Sequence, residues 1–326
     1  MPKAKSEQIV QVIVNPLAAD GRAQKALTRL QALSQCSFEG YKSWSLTTTQ
    51  GPRHACQLAT TSSADVLVTV GGDGTFHEVI NGLMARETQI RPIFAPIDFG
   101  TGGDLAKSLA LPSGLDAAFA LSANGETREM DVGEANVTTE EGAETRWFIN
   151  VGGFGANGEV VRRANHGSKM LGGKATFISA TLKTVFSYQA KTVQLRWRNG
   201  DSEWQTWQGP LLSCFLANGM YCGDGMKVTP AVRITDGRLR LVILSELSIL
   251  QQIQHLPKLY NGEIHNIPKS LTSTCTEMEA AGLIGQRVEI DLDGELSGFL
   301  PASFRVHKEA ISVRANWGKI DNAEED

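Results

Sequence analysis

Apolar positions in the first 110 residues fall into short continuous runs, each followed by a stretch with helical spacing. QIVQVIVNP, SFEGYKSWSLTTT, DVLVTV and IRPIFAPI read as strands, and aliphatic runs of this length suit strands buried on both faces. Between them RAQKALTRLQAL, PRHACQLATTSS, TFHEVINGLMAR and GGDLAKSLAL carry the helical pattern, with Pro52 near the start of the second and Pro112 past the end of the last. Strand and helix in alternation predict α/β architecture, a parallel sheet covered on both faces. The pattern changes near MDVGEANV. From Trp147 onward WFINVGG, TVQLRWRN, GPLLSCFLAN, RLRLVILSEL, RVEIDLDG and EAISVRAN read as strands at irregular spacing, interrupted by one helix, GKATFISATLKTVFSY. The expected division is a first domain over 1–135, a mostly β domain over 136–316, and a tail over 317–326 that frays or packs back on the first domain. EEGAET is expected at an exposed hairpin tip.

Glycine placement adds chemistry to this pattern. In a parallel α/β sheet ligands bind beyond the C-terminal ends of the strands. VLVTV is such a strand, GGDGT its loop and FHEVINGL the helix it feeds. Backbone N–H groups of a glycine loop at a helix N-terminus make an anion site. Gly71, Gly72 and Gly74 permit close approach by phosphate, and Thr75 can cap the helix or donate to an oxygen. Asp73 would repel a bare phosphate, so a Mg²⁺–phosphate site explains it better; the plain alternative is a tight turn with Asp73 as cap. DFGTGGDLAKSL repeats the design with Gly100, Thr101 and Asp104, where capping again competes with ligand binding. VNPLAADGRA places Asn15 and Gly21 at the end of the first strand. Three such loops at three strand ends predict a nucleotide cleft. Neither the P-loop spacing nor the dinucleotide G-x-G-x-x-G spacing is present.

VEIDLDGELSG carries Asp291, Asp293 and Glu295 at alternating positions, which share a face in a continuous strand. Asp-Gly is equally a hairpin signal, so a solvated turn stands beside the reading in which Asp293 or Glu295 takes or positions a hydroxyl proton. Asp131, in MDVG, is placed to reach the same cleft.

Composition narrows the classes. The chain has 326 residues, 41% apolar and 20% charged, with formal charge −4, which argues against a polyanion-binding surface over the whole molecule. With no helix-turn-helix signal, zinc pattern or basic stripe, no nucleic-acid partner is expected. Five scattered cysteines suit free thiols in a reducing, cytoplasmic setting. No signal-type apolar leader is seen, and LRLVILSELSIL is too short and contains Glu246, so no transmembrane segment is expected. RRANHGSKMLGGKATF, with Arg162, Arg163, Lys169 and Lys174 ahead of Phe177, Ile178, Leu182, Val185 and Phe186, suits either contact with anionic lipid or a solvated loop before a core helix.

GGDGTFHEVINGL, with NPLAADGRA before it and FGTGGDLAKSLALP after it, resembles the catalytic core of the bacterial diacylglycerol kinase-like lipid kinases, a core shared with sphingosine and ceramide kinases. DVG, FINVGGFGANGEVV, LANGMYCGDGMKVTPAVRITDGRLRLVIL and DLDGE follow in matching order, so the resemblance covers almost the whole chain. It implies a three-layer α/β nucleotide domain with a mostly parallel sheet, then a mostly β sandwich-like domain, with catalysis between them. It also implies transfer of the γ-phosphoryl of ATP to a lipid hydroxyl with Mg²⁺, diacylglycerol being the expected acceptor. By the same resemblance Asn15, Gly21, Thr48, Gly71, Gly72, Asp73, Gly74, Thr75, Gly100 and Thr101 contact nucleotide. Asp73, Asp104 and Asp131 belong to a metal and water network, Asp236 matches a structural-metal region or an ordinary Asp-Gly turn, and Asp293 and Glu295 are the catalytic pair. A lipid substrate at the membrane surface, a peripheral place on its inner face and a homodimer are further implications. The sequence departs from the family pattern at His77, Asp98, Gly103 and Asp224. Alternatives are a kinase of another glycerolipid or a sphingoid base, an NAD kinase, and an inactive lipid-binding regulatory protein.

Overall fold

The computed structural model describes residues 3–166, 173–229, 233–283 and 285–325. The chain forms two compact units, Met1–Met130 with Glu309–Asp326, and Asp131–Lys308. The strands are β1 (Ile9–Val14), β2 (Ser43–Thr48), β3 (Val66–Gly71), β4 (Ile93–Asp98), β5 (Thr127–Thr139), β6 (Gly142–Phe148), β7 (Val151–Gly155), β8 (Lys191–Arg198), β9 (Gln205–Ala217), β10 (Tyr221–Cys222), β11 (Met226–Lys227), β12 (Leu239–Ser245), β13 (Ser270–Cys275), β14 (Glu277–Gly282), β15 (Glu289–Leu292) and β16 (Glu295–Arg314).

In the first unit β1 pairs in parallel with β2 and β3, and β3 with β4; Val12 sits opposite Leu46 on one side and Val68 on the other. Every residue of β3 is buried, the reason its sequence is a continuous apolar run rather than an alternating one. Val10, Val12, Val14, Val66, Val68 and Val70 share a core with Leu30, Phe38 and Phe119, which come from or adjoin the helices Leu27–Ser37 and Leu115–Asn124. The end of β16 returns to this unit, where Val313 pairs in parallel with Phe94. The helix Trp317–Glu325 follows it; Trp317 is buried, and Asp321 pairs with Arg128.

The expected fold class needs correction. Six strands close into a ring: β7 pairs with β9, β9 with β8, β8 with β14, β14 with β16, β16 with β15 and β15 with β7, every pair antiparallel. This closed six-stranded antiparallel barrel, to which β12, β13 and the β5–β6 hairpin are paired, overturns the expectation of a three-layer α/β fold with a mostly parallel sheet, while the expected mostly β, sandwich-like character of the second domain is kept. Parallel pairing is limited to β1–β4 and the tip of β16. Closure comes from the length of β16, twenty residues that pair with β15 early and β14 later. A register shift at Ile290/Asp291 helps the sheet turn. All six ring strands send alternate residues into one apolar cluster, Leu195, Leu216, Met278 and Ile290 among them, with Phe154 stacked on Phe304 at 5.8 Å. Besides the expected helix, here Gly173–Ser187, this unit carries Ala156–His166 and Ile249–Tyr260. Among the described residues no helix is long and apolar enough to cross a membrane.

Arg314 fastens the returning strand. Its guanidinium is buried and donates to Ser122 O at 2.6 Å, to the Tyr41 hydroxyl at 3.1 Å and to Gln8 Oε1 at 3.4 Å. Arg314→Met keeps the bulk and leaves those acceptors unpaired, so it is expected to cost about 2–4 kcal/mol. Thermal melting checks this; an unchanged midpoint would show that only the side chain's bulk matters.

Candidate active site

In the first unit the loops after β3 and β4 meet through bare backbone. A Cβ on Gly100 would lie 2.7 Å from Gly72 Cα, and one on Gly72 would lie 3.1 Å from Gly100 Cα, so neither position admits a side chain without moving the other loop. Phe99 N donates to Gly71 O at 2.7 Å across the same junction. Gly103, with φ +65, turns the chain into the short helix Asp104–Ser108.

Asp73 opens the helix Asp73–Met84, yet its carboxylate serves the neighbouring loop. Oδ2 accepts from Asp104 N at 3.2 Å and Oδ1 from Leu105 N at 3.0 Å, supplying acceptors to N–H groups that a helix start leaves without partners. Burial pushes the Asp73 carboxyl up to about 6; these two N–H groups oppose the rise, and the negative charges of Asp104 and Asp98 add to it. Burial raises Asp98 as well, against the N–H of Gly100 and the charge of Lys107. Asn15, at the end of β1, donates from Nδ2 to Thr75 Oγ1 at 2.9 Å, so the first loop joins the second. Ala19, Asp20 and Gly21 all have positive φ. Thr48 ends β2, in register with Val14, and Thr101 is exposed. His77 is buried on the helix, its ring 3.3 Å from Asn81 Nδ2.

In the second unit Asp293 and Gly294 form the two-residue turn between β15 and β16, with φ +53 and +84, the hairpin that Asp-Gly signals. The turn is not simply solvated. Asp293 Oδ1 accepts from Asn150 N and Val151 N, at 2.9 and 3.0 Å, and Oδ2 accepts from Ile149 N at 2.9 Å. Glu295, two residues on, is exposed. Asp291 is buried and accepts from Asn157 Nδ2 at 2.7 Å. Burial and the nearby charge of Asp293 push its carboxyl up to about 7, opposed by the N–H groups of Asn157 and Gly294.

Asp73 and Asp104 belong to the first unit, Asp131 and Asp236 to the second. Asp131 is fully buried and its Oδ2 accepts from Gly237 N at 2.6 Å. Asp236 accepts from Arg238 N and pairs with Arg240. Among the described residues no three His, Cys, Asp or Glu side chains gather as a metal cage. Arg162 and Arg163 both pair with Glu159, while Lys169 and the side chains of Lys174, Phe177 and Ile178 lie outside the described residues. Sequence reasoning missed Asn157 and Asn218. The signal for Asn157 was its spacing from Gly153, whose Cβ would meet Asn157 Nδ2 at 2.3 Å. Asn218 is buried and donates to Asp131 O and Ile149 O, joining segments far apart in sequence.

Residues 10–135 match the diacylglycerol kinase catalytic domain, and residues 150–315 match the YegS C-terminal NAD kinase beta sandwich-like domain. A diacylglycerol kinase of Bacillus subtilis is 26% identical over 297 residues, covering 90% of this chain and 91% of that one. The crystal structure of a diacylglycerol kinase from Bacillus anthracis superposes with TM-score 0.69 at 21% identity, over 96% of this chain and 98% of that chain. Yeast NADH kinase in complex with NADH superposes with TM-score 0.52 at 13% identity, over 97% and 87%. Likenesses to solved structures at these identities speak for the fold alone.

Asp291 yields a pH test. Its folded value of about 7 lies above the ordinary 3.8, so the folded chain holds this proton more tightly than the unfolded chain does. That contribution to stability is full below the ordinary value and is lost as pH rises through about 7. Asp291→Asn keeps an acceptor for Asn157 and cannot ionise. Its melting midpoint, relative to wild type, should therefore climb between about pH 4 and about pH 7 and level off above, a gain of a few kcal/mol at about 1.4 kcal/mol per unit. Parallel curves for the two proteins across that window would refute the assignment.

Proposed function

The chain belongs to the bacterial diacylglycerol kinase and YegS-like lipid-kinase family, and from that premise we propose that it transfers the γ-phosphoryl of ATP to a lipid hydroxyl, diacylglycerol giving phosphatidic acid. The observation that carries this reading is the junction of the two glycine loops, where Gly72 and Gly100 touch through backbone and Asp73 spans both. Such a junction offers N–H groups and no side-chain bulk, which suits phosphate oxygens. Asn15, Gly21, Thr48, Gly71, Gly74, Thr75 and Thr101 complete the nucleotide contacts in this reading.

The residues present fit Mg²⁺. This ion usually takes one or two carboxylates, with waters and substrate phosphates filling its remaining positions, so a three-ligand protein cage is not required. Asp73 and Asp104 would hold it, and when bound it neutralises charge on the transferring phosphates. Asp131 and Asp236 take a structural part, because each is engaged with the 236–240 turn.

For the acceptor hydroxyl the chemistry divides between two carboxylates. Asp293 is held by three backbone N–H groups, and protonating it would disrupt the bonds that seat the hairpin. Glu295 is the exposed member. Glu295 therefore takes the hydroxyl proton as the new O–P bond forms and ADP departs, while Asp293 positions it. The enzyme then works in the cytoplasm at the inner membrane face.

Radiolabelled ATP offered with diacylglycerol, another glycerolipid, a sphingoid base and NAD tests the acceptor class; labelling of NAD alone would overturn the lipid reading. Asp73→Ala should lower turnover by roughly a hundredfold or more at saturating MgATP, and wild-type turnover in a folded variant would remove Asp73 from the site. Glu295→Gln should lower kcat by about a hundredfold or more, with MgATP affinity and melting midpoint near wild type. Asp293→Asn should instead lower the midpoint along with turnover. If Glu295→Gln turns over lipid normally, Glu295 is not the base.

A further inference from the structure

Three of the five residues between β4 and the helix Asp104–Ser108 are glycine, and none of the three has open space where a side chain would go. On Gly102 a Cβ would lie 3.1 Å from Asp73 Oδ2. On Gly103 it would lie 2.8 Å from Asp98 Oδ2, and on Gly100 it would meet Asp98 Oδ1 at 3.2 Å besides the backbone of Gly72. Carboxylate oxygens thus fill the volume that side chains in this loop would need.

Asp98 grips the loop at both ends. Its Oδ1 accepts from Gly100 N at 2.9 Å, a charge-assisted bond. Its Oδ2 lies against Gly103, whose φ of +65 turns the chain into the helix. The two oxygens move as one plane, so Oδ2 cannot swing away from Gly103 without straining the bond to Gly100. The start of the loop is anchored as well. Asp98 ends β4 in register with Gly71, and Phe99 N donates to Gly71 O at 2.7 Å. Lys107 closes the loop from the helix, donating to Gly102 O at 3.0 Å and to Asp104 Oδ1 at 3.3 Å. A run so rich in glycine has little conformational preference of its own, and its shape is therefore imposed from the end of β4.

We propose that Asp98 is a positioning residue for the nucleotide. It sets the shape of the Gly100–Asp104 loop by holding Gly100 N and by occupying the side-chain space of Gly103, so Asp98 and Gly103 form a matched pair. The inference rests on the kinase reading for its ligand, MgATP, and not for the pairing itself.

A double-mutant cycle tests this, read as melting midpoints and as KM and kcat for MgATP with diacylglycerol in detergent micelles. Asp98→Ala frees Gly100 N and empties the space beside Gly103. Its KM for MgATP should rise about tenfold, with kcat changed by less than about threefold. Gly103→Asn tolerates the positive φ but drives a Cβ into Asp98 Oδ2, and it should raise KM by a similar factor. In the double variant the carboxamide enters the vacated space and brings an oxygen for Gly100 N, so KM should return to within about threefold of wild type. Asp98→Asn keeps the shape and an acceptor for Gly100 N, and it should also stay within about threefold. Losses that multiply in the double variant, to about a hundredfold, overturn the pairing. An unmoved KM in Asp98→Ala with a lowered midpoint makes Asp98 merely structural and overturns the proposal. A loss in Asp98→Asn as large as in Asp98→Ala assigns the effect to charge and overturns it too. Should Gly103→Asn alone fail to fold, a double variant no better than Asp98→Ala refutes the pair, and a better one upholds it. A wild type that binds no MgATP by calorimetry and labels no lipid sinks the kinase reading instead. The melting midpoints then still decide the pairing, which non-additive shifts uphold and additive shifts overturn.

Discussion

A carboxylate withdrawn from water needs N–H donors, and each of the two units contains one that found them in the backbone. Asp73 takes its donors from Asp104 and Leu105, Asp293 from Ile149, Asn150 and Val151. In each case one side chain joins segments far apart in sequence, and the bond geometry fixes their spacing to a few tenths of an ångström. Charge-assisted bonds to backbone N–H are stronger than neutral ones, so these joints are stiff. The proposed phosphoryl transfer needs such stiffness, because catalysis falls steeply with small misplacement.

The same requirement separates carboxylates seated on backbone donors from one that is exposed. Asp73, Asp293 and Asp131 accept from backbone N–H groups, whereas Glu295 lies exposed at the start of β16. Asp291 is a third kind, a buried carboxyl beside another carboxylate and faced by the N–H groups of Asn157 and Gly294. Alternation along D-L-D-G-E thus places three acids in three environments within five residues.

The chain announces much of this and hides the rest, for physical reasons. β1, β3 and β4 were legible because strands buried largely on both faces are mostly apolar, β3 at every position buried, and the glycine loops because only glycine permits the approach seen at Gly72 and Gly100. The Asp-Gly hairpin was legible from two residues; its lock on Ile149–Val151 was not, since nothing local shows where the carboxylate points. Ring closure was hidden because alternation tells which face of a strand is buried and never which strand lies beside it.

Arg314 and Val313 lie on the last stretch of β16, and they complete a unit whose other residues precede residue 131. A ribosome therefore delivers the closing piece of the first unit only after the roughly 180 residues of the second have been made. At typical synthesis rates that interval is roughly ten to thirty-five seconds. During it β4 stands without the neighbour that Val313 brings, and the carbonyl of Ser122 waits for its guanidinium. Nascent chains of this protein thus hold an unfinished first unit while the second is still emerging, and messages cut short near the 3′ end yield a complete barrel attached to a glycine-loop unit that lacks its last strand.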